Sequence, residues 1–289
     1  MAQTFTYKTP LRYPGGKSRA MKFLGDHFPR DIQQYNEPFI GGGSVAVWFA
    51  QANPNANIWI NDLYGNLYNF WVQLRDDCTN LRSEVKAIKD KVTDQKEIGK
   101  ETFNQIREDI GTEGSDVRRA AYFYALNKMS FSGLTENRSS FSHSSQVSNF
   151  SYLGIEKMQV YSQLIQKWKI TNLDYKELMN DDNAFVFLDP PYEIASSNLY
   201  GKDGDTHKYF NHDEFAQACN DCKSDQMITY NADQKVQDRF PNWRQIVWDL
   251  KYSMCTNSKN YLEQEKDRKE LLLMNYDEET NALAKALGI

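Results

Sequence analysis

Apolar residues follow two different rhythms along the chain: short unbroken runs, and longer stretches with helical spacing. The clearest short run is Ala184–Leu188, which leads directly into Asp189-Pro190-Pro191-Tyr192. A short apolar run that stops at proline is typical of a buried strand. Strands of a parallel sheet are covered on both faces, so their apolar residues are continuous rather than alternating. The pattern predicts a central parallel strand with Asp189–Tyr192 at its carboxyl end, where ligands of such sheets bind.

Strands and helices alternate through most of the remaining chain, which predicts an α/β fold. A polar loop over the site is expected at 196–211, and a terminal hairpin is expected from 251–260 and 269–276. The other strands are predicted at 56–62, 169–175, 226–230 and 243–248, and the helices outside the middle of the chain at 44–52, 156–168 and 213–222.

The middle of the chain, 63–166, breaks this alternation because its apolar residues recur at helical spacing. Helices are predicted there at 67–91, 103–109 and 116–129. The segment that follows, 130–145, is rich in Ser, Thr and Asn and contains aromatic rings. It is either a flexible polar loop or a probe that inserts a ring and polar groups into a nucleic acid.

Composition limits the class of protein. The chain has 289 residues, is 40% hydrophobic and 25% charged, and carries a net charge of −5. It has neither an apolar run of membrane-spanning length nor a signal-like segment at its start, so a soluble cytoplasmic protein is expected. Its 4 cysteines do not form a disulfide framework. Cys219 and Cys222 lie in a predicted helix with no nearby histidine pair, so a metal site is not expected.

The residues after the central strand suit one kind of chemistry. Proline has a fixed φ and no N–H, so the backbone here is stiff and offers carbonyl acceptors without donors. The Asp189 carboxylate and the Pro190 carbonyl can together accept both hydrogens of an exocyclic amine and free its lone pair for attack. Tyr192 can stack on the heterocycle that carries the amine. The competing interpretation is a plain turn after a strand.

Two glycine-rich segments precede the helical middle. Pro14-Gly15-Gly16-Lys17 is a turn signal, and by itself it favours a structural turn. Phe39–Ser44 follows a strand end and opens a helix, with Ser44 predicted as the helix cap. Asp62 ends the next strand. Strand, glycine loop, helix, strand and acid is the layout that holds a nucleoside, although the glycine spacing disfavours a pyrophosphate cofactor.

In this order and spacing, the motifs resemble those of the Dam-type DNA adenine-N6 methyltransferases. The resemblance rests on four blocks and a weaker fifth block, namely Arg12–Lys17, Glu37–Ser44, Asn61-Asp62, Asp189–Tyr192 and, more weakly, Asp174-Tyr175. It implies a Rossmann-like class I methyltransferase sheet with helices on both faces, formed by 1–65 and 155–289. It also implies an inserted, mainly helical DNA-recognition domain at 66–154, S-adenosylmethionine as cofactor and double-stranded DNA as substrate.

The resemblance further implies a role for each matching residue. A flipped-out adenine would meet the catalytic residues Asp189, Pro190, Pro191 and Tyr192. The cofactor would be held by Tyr13, Gly15, Gly16, Lys17, Pro38, Phe39, Gly41, Gly43, Ser44, Asp62, Asp174, Tyr175 and Asp189. DNA would be contacted by Arg12, Lys128, Phe131, Ser132, Leu134 and Arg138. No metal is implied. Glu136 stands where GATC-reading members carry an arginine for guanine, so recognition of GATC is not expected.

Other substrates share this pocket chemistry. Cytosine N4 and a glutamine side-chain amide also present an NH2 group, and the donor can carry a group other than plain methyl. A DNA-binding relative with an inactive catalytic scaffold is a further alternative, although Asp62, Asp189 and Tyr192 are all present. A zinc nucleobase deaminase requires a Pro-Cys-x-x-Cys segment, which this chain lacks.

Overall fold

The computed structural model describes residues 7–92, 94–135, 139–193, 210–249 and 269–277. The strands are β1 Gln34–Glu37, β2 Asn57–Asn61, β3 Lys169–Thr171, β4 Phe185–Leu188, β5 Asp225–Asn231, β6 Arg244–Asp249 and β7 Lys269–Met274. They form a seven-stranded sheet in the order β3-β2-β1-β4-β5-β7-β6. Strands β1 to β5 are parallel, whereas β7 lies antiparallel between β5 and β6.

Strand β4 shows why the central apolar run is unbroken. All of its residues are buried, but they point alternately to two faces of the sheet. Phe185 and Phe187 pack into one hydrophobic cluster, and Val186 and Leu188 pack into another. The predicted α/β fold, with a sheet covered on both faces, is therefore confirmed.

Helices cover both faces of the sheet. They are α1 Met21–Leu24, α2 Ser44–Ala52, α3 Gly65–Asp76, α4 Cys78–Val92, α5 Lys96–Asp109, α6 Asp116–Met129, α7 His143–Asn149, α8 Tyr152–Ile165, α9 His212–Asp221 and α10 Gln234–Arg239. Apolar side chains of α2, α3 and α8 join the cluster of Phe185 and Phe187, which continues through α4, α5 and α6. The helices of 66–154 thus share a core with the sheet, and their division from it as a separate domain stays a prediction.

Most predicted elements are present, and α2 and α6 have the predicted bounds. The single helix predicted at 67–91 is wrong, because α3 and α4 are separated at Asp77, whose φ of −136° is not helical. The Asp77 carboxylate accepts hydrogen bonds from Asn80 Nδ2. Such local bonds compete with helix continuation.

The end of the chain differs from the predicted hairpin. Both sides of β7 are taken by β5 and β6, so its predicted pairing with 251–260 is wrong. That segment itself lies outside the described residues, as does nearly all of the loop predicted at 196–211. Within the ranges that the structure describes, no helix combines the length and apolar character needed to cross a membrane.

Candidate active site

The carboxyl ends of β1, β2 and β4 lie at one edge of the sheet, where parallel strands present ligand-binding loops. The glycine loop Phe39–Ser44 follows β1, Asp62 follows β2 and Asp189 follows β4. The Gly41 amide donates to Asp62 Oδ2 at 3.0 Å. Behind the loop, Asn61 Nδ2 at the end of β2 donates to the carbonyl of buried Pro38 at 3.2 Å. The structure therefore brings the predicted blocks together.

Close contacts explain the glycines of the loop. Gly41 and Gly43 have φ values of 47° and 72°, in the left-handed region that glycine tolerates. A Cβ atom on Gly42 would lie 2.6 Å from Tyr13 Cβ, and one on Gly43 would lie 2.5 Å from Trp71 Cζ2. A side chain at either position would displace its neighbour, so these two glycines let Tyr13 and Trp71 pack directly on the loop.

The segment 9–17 lies on this loop. Thr9 Oγ1 donates to the Gly42 carbonyl, and the Lys17 amide donates to Ser44 Oγ at 3.0 Å. Helix α2 has no side-chain cap. The prediction that Ser44 caps α2 is wrong, because its hydroxyl instead fixes the end of the N-terminal segment.

A tight turn directs the Lys17 side chain inward. Gly15 has a φ of 75°, and the Gly16 amide donates to the Tyr13 carbonyl at 3.1 Å. Lys17 is only 2% exposed, and its Nζ donates to the Gly15 carbonyl at 2.9 Å and to Asp189 Oδ2 at 2.7 Å. The expected contact of Gly15, Gly16 and Lys17 with a cofactor stays a prediction. The ion pair between Lys17 and Asp189 was not predicted.

Both oxygens of the Asp189 carboxylate have side-chain donors. Oδ2 accepts from Lys17, and Oδ1 accepts from Thr229 Oγ1 at 2.8 Å. Thr229 is fully buried in β5, whereas the Asp189 side chain keeps 23% exposure. Pro190 is buried and Pro191 half-buried, and none of the described residues donates to the Pro190 carbonyl. The site thus combines a fixed, reachable carboxylate with an adjacent backbone acceptor.

Tyr230, Glu270 and Lys17 contact the side chain of Tyr192. The ring stacks on Tyr230 with centroids 5.6 Å apart and an interplanar angle of 18°. Its hydroxyl donates to Glu270 Oε2 at 2.5 Å. Lys17 Nζ lies 5.1 Å from its centroid, within the range of a cation–π contact. The Lys17 ammonium therefore lies in a space that both the Asp189 carboxylate and the Tyr192 ring border.

Two further carboxyl groups lie beside the glycine loop. Asp62 accepts the amides of Gly41 and Tyr64, both at 3.0 Å. Burial raises the pKa of Asp62 to about 6 although both hydrogen bonds act to lower it. Glu37 is 2% exposed and accepts from the Tyr35 hydroxyl at 2.5 Å, and burial raises its pKa well above the ordinary value. With a pKa of about 6, Asp62 can offer an ionised oxygen to hydroxyl groups at neutral pH.

An aromatic cluster borders the loop as well. Phe39 stacks on Tyr175 at 5.4 Å, and the rings of Phe210 and Phe215 lie edge-on at 5.8 and 6.0 Å. Flat rings of this kind suit a planar base. Asp174 is exposed, and its carboxylate accepts the amide two residues later as the cap of a 3-10 helix. The predicted contact of Asp174 and Tyr175 with an adenine ring stays a prediction.

The segment predicted to contact DNA is fastened to the N-terminal segment by Asn127. Asn127 Oδ1 accepts the Arg12 amide at 3.0 Å, and Nδ2 donates to the carbonyls of Arg12 and Gly133 at 2.6 and 2.8 Å. Arg12 Nη1 donates to the Ser130 carbonyl and to Ser145 Oγ, each at 3.1 Å. Arg12 thus supports the segment, and its predicted contact with DNA stays a prediction.

Phe131, Ser132 and Leu134 form the turn that Arg12 supports. Phe131 is 52% exposed. Ser132 has a φ of 61°, a conformation that non-glycine residues rarely adopt. Leu134 is half-buried. An exposed ring on a constrained turn is compatible with the predicted wedge, which stays a prediction.

Lys128, which is predicted to contact DNA, is a buried residue. It is 9% exposed, and its Nζ donates to the Pro10 carbonyl at 2.6 Å and lies 5.1 Å from the Tyr124 ring centroid. Burial, helped by the charge of Arg12, lowers the pKa of Lys128 to about 7. Lys128 therefore ties α6 to the N-terminal segment, and its contact with DNA stays a prediction. Arg138, another predicted DNA contact, lies outside the described residues together with Glu136.

Sequence reasoning missed the residues that contact Asp189 and Tyr192 from the sheet, namely Thr229, Tyr230 and Glu270. Thr229 and Tyr230 lie in β5, Glu270 lies in β7, and each is at most 4% exposed. A signal was present: Thr229 and Glu270 are polar residues within or beside apolar runs, and a buried polar residue is more informative than an exposed apolar one.

Cys219 and Cys222 lie at the end of α9. Cys219 is buried, and Cys222 Sγ donates to the Met179 carbonyl at 3.2 Å, both as free thiols. In the part of the chain that the structure describes, no group of three or more His, Cys, Asp and Glu side chains is arranged to hold a metal ion.

Comparison with known proteins adds a family to this geometry. The model of the D12 class N6 adenine-specific DNA methyltransferases matches residues 13–254. The chain is 26% identical over 197 residues to type II methyltransferase M.MjaIII of Methanocaldococcus jannaschii, covering 63% of this chain and 68% of that protein. It is 27% identical over 201 residues to M.CviBI of Paramecium bursaria Chlorella virus NC1A (67% and 72% covered). It is 26% identical over 204 residues to the retron Ec67 DNA adenine methylase of Escherichia coli (68% of each).

Proposed function

Because the chain belongs to the D12 class N6 adenine-specific DNA methyltransferases, which are S-adenosylmethionine-dependent enzymes, we propose that Asp189, Pro190 and Tyr192 bind the reacting amine of a flipped-out adenine. The position of the Asp189 carboxylate carries this assignment. It follows the central strand, is fixed by Thr229 and stays reachable from outside. A target base must leave the duplex to enter such a site.

The residues of the glycine loop fit the cofactor that the family uses. Tyr13 packs on Gly42 and Trp71 packs on Gly43, which holds the loop in place, and the Asp62 carboxylate is available to accept ribose hydroxyls. The rings of Phe39 and Tyr175 provide a flat wall for an adenine. When bound, S-adenosylmethionine supplies an electrophilic methyl group on sulfur.

The chain's own residues position the amine. Asp189 Oδ2 and the Pro190 carbonyl accept its two hydrogens, which draws the nitrogen towards a tetrahedral shape and frees its lone pair. Tyr192 stacks on the base. Lys17 Nζ lies within hydrogen-bond distance of Oδ2 and over the Tyr192 ring. An amine on a base that stacks on Tyr192 would occupy this same position, so it replaces the Lys17 ammonium there. Catalysis then rests on positioning and electrostatic complementarity.

Incubating the purified protein with S-adenosylmethionine and duplex DNA of mixed sequence tests this function. We expect N6-methyladenine in one short sequence, found by mass spectrometry of the nucleosides and located by long-read sequencing of the treated DNA. The mass of the modified nucleoside also shows whether the transferred group is plain methyl. N4-methylcytosine, or no modified base, would contradict the proposal.

Thr229→Val should lower kcat by about tenfold, because it removes one hydrogen bond to a charged group that fixes Asp189. The dissociation constant for S-adenosylmethionine should stay within about twofold, since Thr229 is bonded to the catalytic carboxylate and not to the glycine loop. Kinetics with tritiated donor and calorimetry measure the two quantities. Thr229→Ser keeps the hydroxyl and is the matched control. Equal losses in both variants would show that the hydroxyl does not orient Asp189.

A further inference from the structure

We infer that Glu270 is a positioning residue that fixes the position of the Tyr192 ring within its plane for stacking on the target base. The inference rests on the proposed function of Tyr192. It starts from one contact between distant parts of the chain: the Tyr192 hydroxyl donates to Glu270 Oε2 at 2.5 Å. A contact of this length is typical of a hydroxyl that donates to a carboxylate.

The location of Glu270 requires an explanation that packing does not supply. It is 4% exposed and lies in β7, opposite Asn231 of β5 and Trp248 of β6. The residues that follow it, Leu271–Met274, are all buried and apolar. A carboxylate inside a sheet is costly unless it is hydrogen-bonded. The Tyr192 hydroxyl is such a partner, and it connects the antiparallel edge of the sheet with the residues after β4.

Tyr230 and Lys17 contact the Tyr192 ring at its faces. The prolines before it stiffen the backbone but leave the side-chain torsions free, and the ring itself is half-exposed. Tyr230 stacks on it at 5.6 Å, which fixes a plane but permits sliding and rotation within that plane. The hydrogen bond to Glu270 removes this freedom. The ring is thereby held beside the space that Lys17 Nζ shares with Asp189 Oδ2.

Loss of this bond should act on the base and not on the cofactor. We expect Glu270→Met, which keeps the volume and removes the acceptor, to lower kcat/KM for DNA by about tenfold to a hundredfold. Glu270→Gln keeps an acceptor oxygen and is the matched control, with a loss of at most about threefold. The calorimetric affinity for S-adenosylmethionine should be the same in all three proteins.

A fluorescent base reports the stacking directly. The probe is a duplex with 2-aminopurine at the position of the target adenine, in the sequence found by the methylation experiment. Its emission on binding should match between the unmodified protein and Glu270→Gln, and it should be brighter with Glu270→Met because the base is less well stacked. Identical emission in all three proteins would overturn the inference.

Tyr192→Phe separates positioning from a merely structural role. It keeps the ring and removes the hydroxyl, so it should reproduce the brighter emission of Glu270→Met. Adding Glu270→Met to Tyr192→Phe should then cost at most about twofold more in kcat/KM. Losses that multiply, or an unchanged emission in Tyr192→Phe, would overturn the inference even if Glu270→Met fails to fold. Methyl transfer by the unmodified protein is measured first. A failure of the proposed function is therefore seen before any variant is compared.

Discussion

Asp189→Ala should reduce methyl transfer by about a thousandfold or more, because the variant loses an acceptor that acts on the amine as it becomes nucleophilic. The Pro190 carbonyl alone can accept only one of the two hydrogens. Transfer of tritiated methyl groups to DNA, under single-turnover conditions, measures the loss. Full activity in the variant would refute the assignment of Asp189.

The same substitution should also destabilise the fold, which the sequence alone did not indicate. Lys17 is 2% exposed and pairs with Asp189 at 2.7 Å, so the variant leaves a buried ammonium without its carboxylate. Breaking a buried pair costs about 3–5 kcal/mol. Because the Asp189 side chain keeps 23% exposure, we expect the lower end of that range, a fall in Tm of about 5–10 °C.

The double variant Lys17→Met/Asp189→Ala distinguishes the two effects. Replacing both members of a buried pair by uncharged groups removes the cost of the unpaired charge. Its Tm should therefore recover most of the loss seen in Asp189→Ala, while methyl transfer stays abolished. If Tm does not recover, the unpaired ammonium of Lys17 is not the cause of the lower Tm of Asp189→Ala.

The centre of the fold was predictable because its signals are local. An unbroken apolar run, a proline stop and a strand–helix alternation predicted β4, its surroundings and the α/β fold. Helix α6 was predicted with its observed bounds for the same reason, since helical spacing is visible within a single window of sequence. The proximity of the glycine loop and Asp62 was also predictable, because the carboxyl ends of neighbouring parallel strands lie at the same edge of a sheet.

The contacts that complete the site could not be predicted from local patterns. Thr229 reaches Asp189 because β5 pairs with β4, and Glu270 reaches Tyr192 because β7 lies beside β5. Such contacts depend on strand order and register, and a shift of one residue would turn each side chain to the opposite face. The sequence contains these residues but not the register that aims them.

Lys128 shows a second limit. Its charge suggested a contact with phosphate, yet the three-dimensional position of a helix residue depends on what packs around the helix. In this structure the N-terminal segment covers that part of α6, so the ammonium is bonded to the Pro10 carbonyl. Charge along the sequence therefore overestimated the basic surface near the turn of Phe131.

Asp62→Ala should weaken the binding of S-adenosylmethionine by about a hundredfold. A hydrogen bond from the ribose to a charged acceptor is worth about 1.5–3 kcal/mol, so the loss of one such bond accounts for an effect of this order. The variant also removes the acceptor of the Gly41 and Tyr64 amides, which holds the glycine loop in place. Asp62→Asn keeps one acceptor oxygen without the charge and should show an intermediate loss. Unchanged calorimetric affinity in Asp62→Ala would contradict the assignment.

The same carboxyl group should make cofactor binding depend on pH. Burial raises the pKa of Asp62 from 3.8 to about 6. Its contribution to stability is therefore present at low pH and is lost as the pH rises from about 4 to 6. Binding has the opposite sign, because the ionised form accepts the ribose hydroxyls. Affinity should rise about tenfold between pH 5 and pH 7, as the ionised fraction grows from about a tenth to about nine tenths.

Calorimetric titrations at intervals from pH 5 to pH 8 measure this dependence, with Asp62→Asn as the matched control. Glu37 is a further carboxyl group near Asp62, and its pKa is raised by burial and by the charges of Asp189 and Asp62. Any pH dependence that persists in Asp62→Asn would belong to another group of the protein, such as Glu37, or to the ligand. A flat profile in the unmodified protein would show that an ionised Asp62 is not required for cofactor binding, whatever the fate of the catalytic assignment.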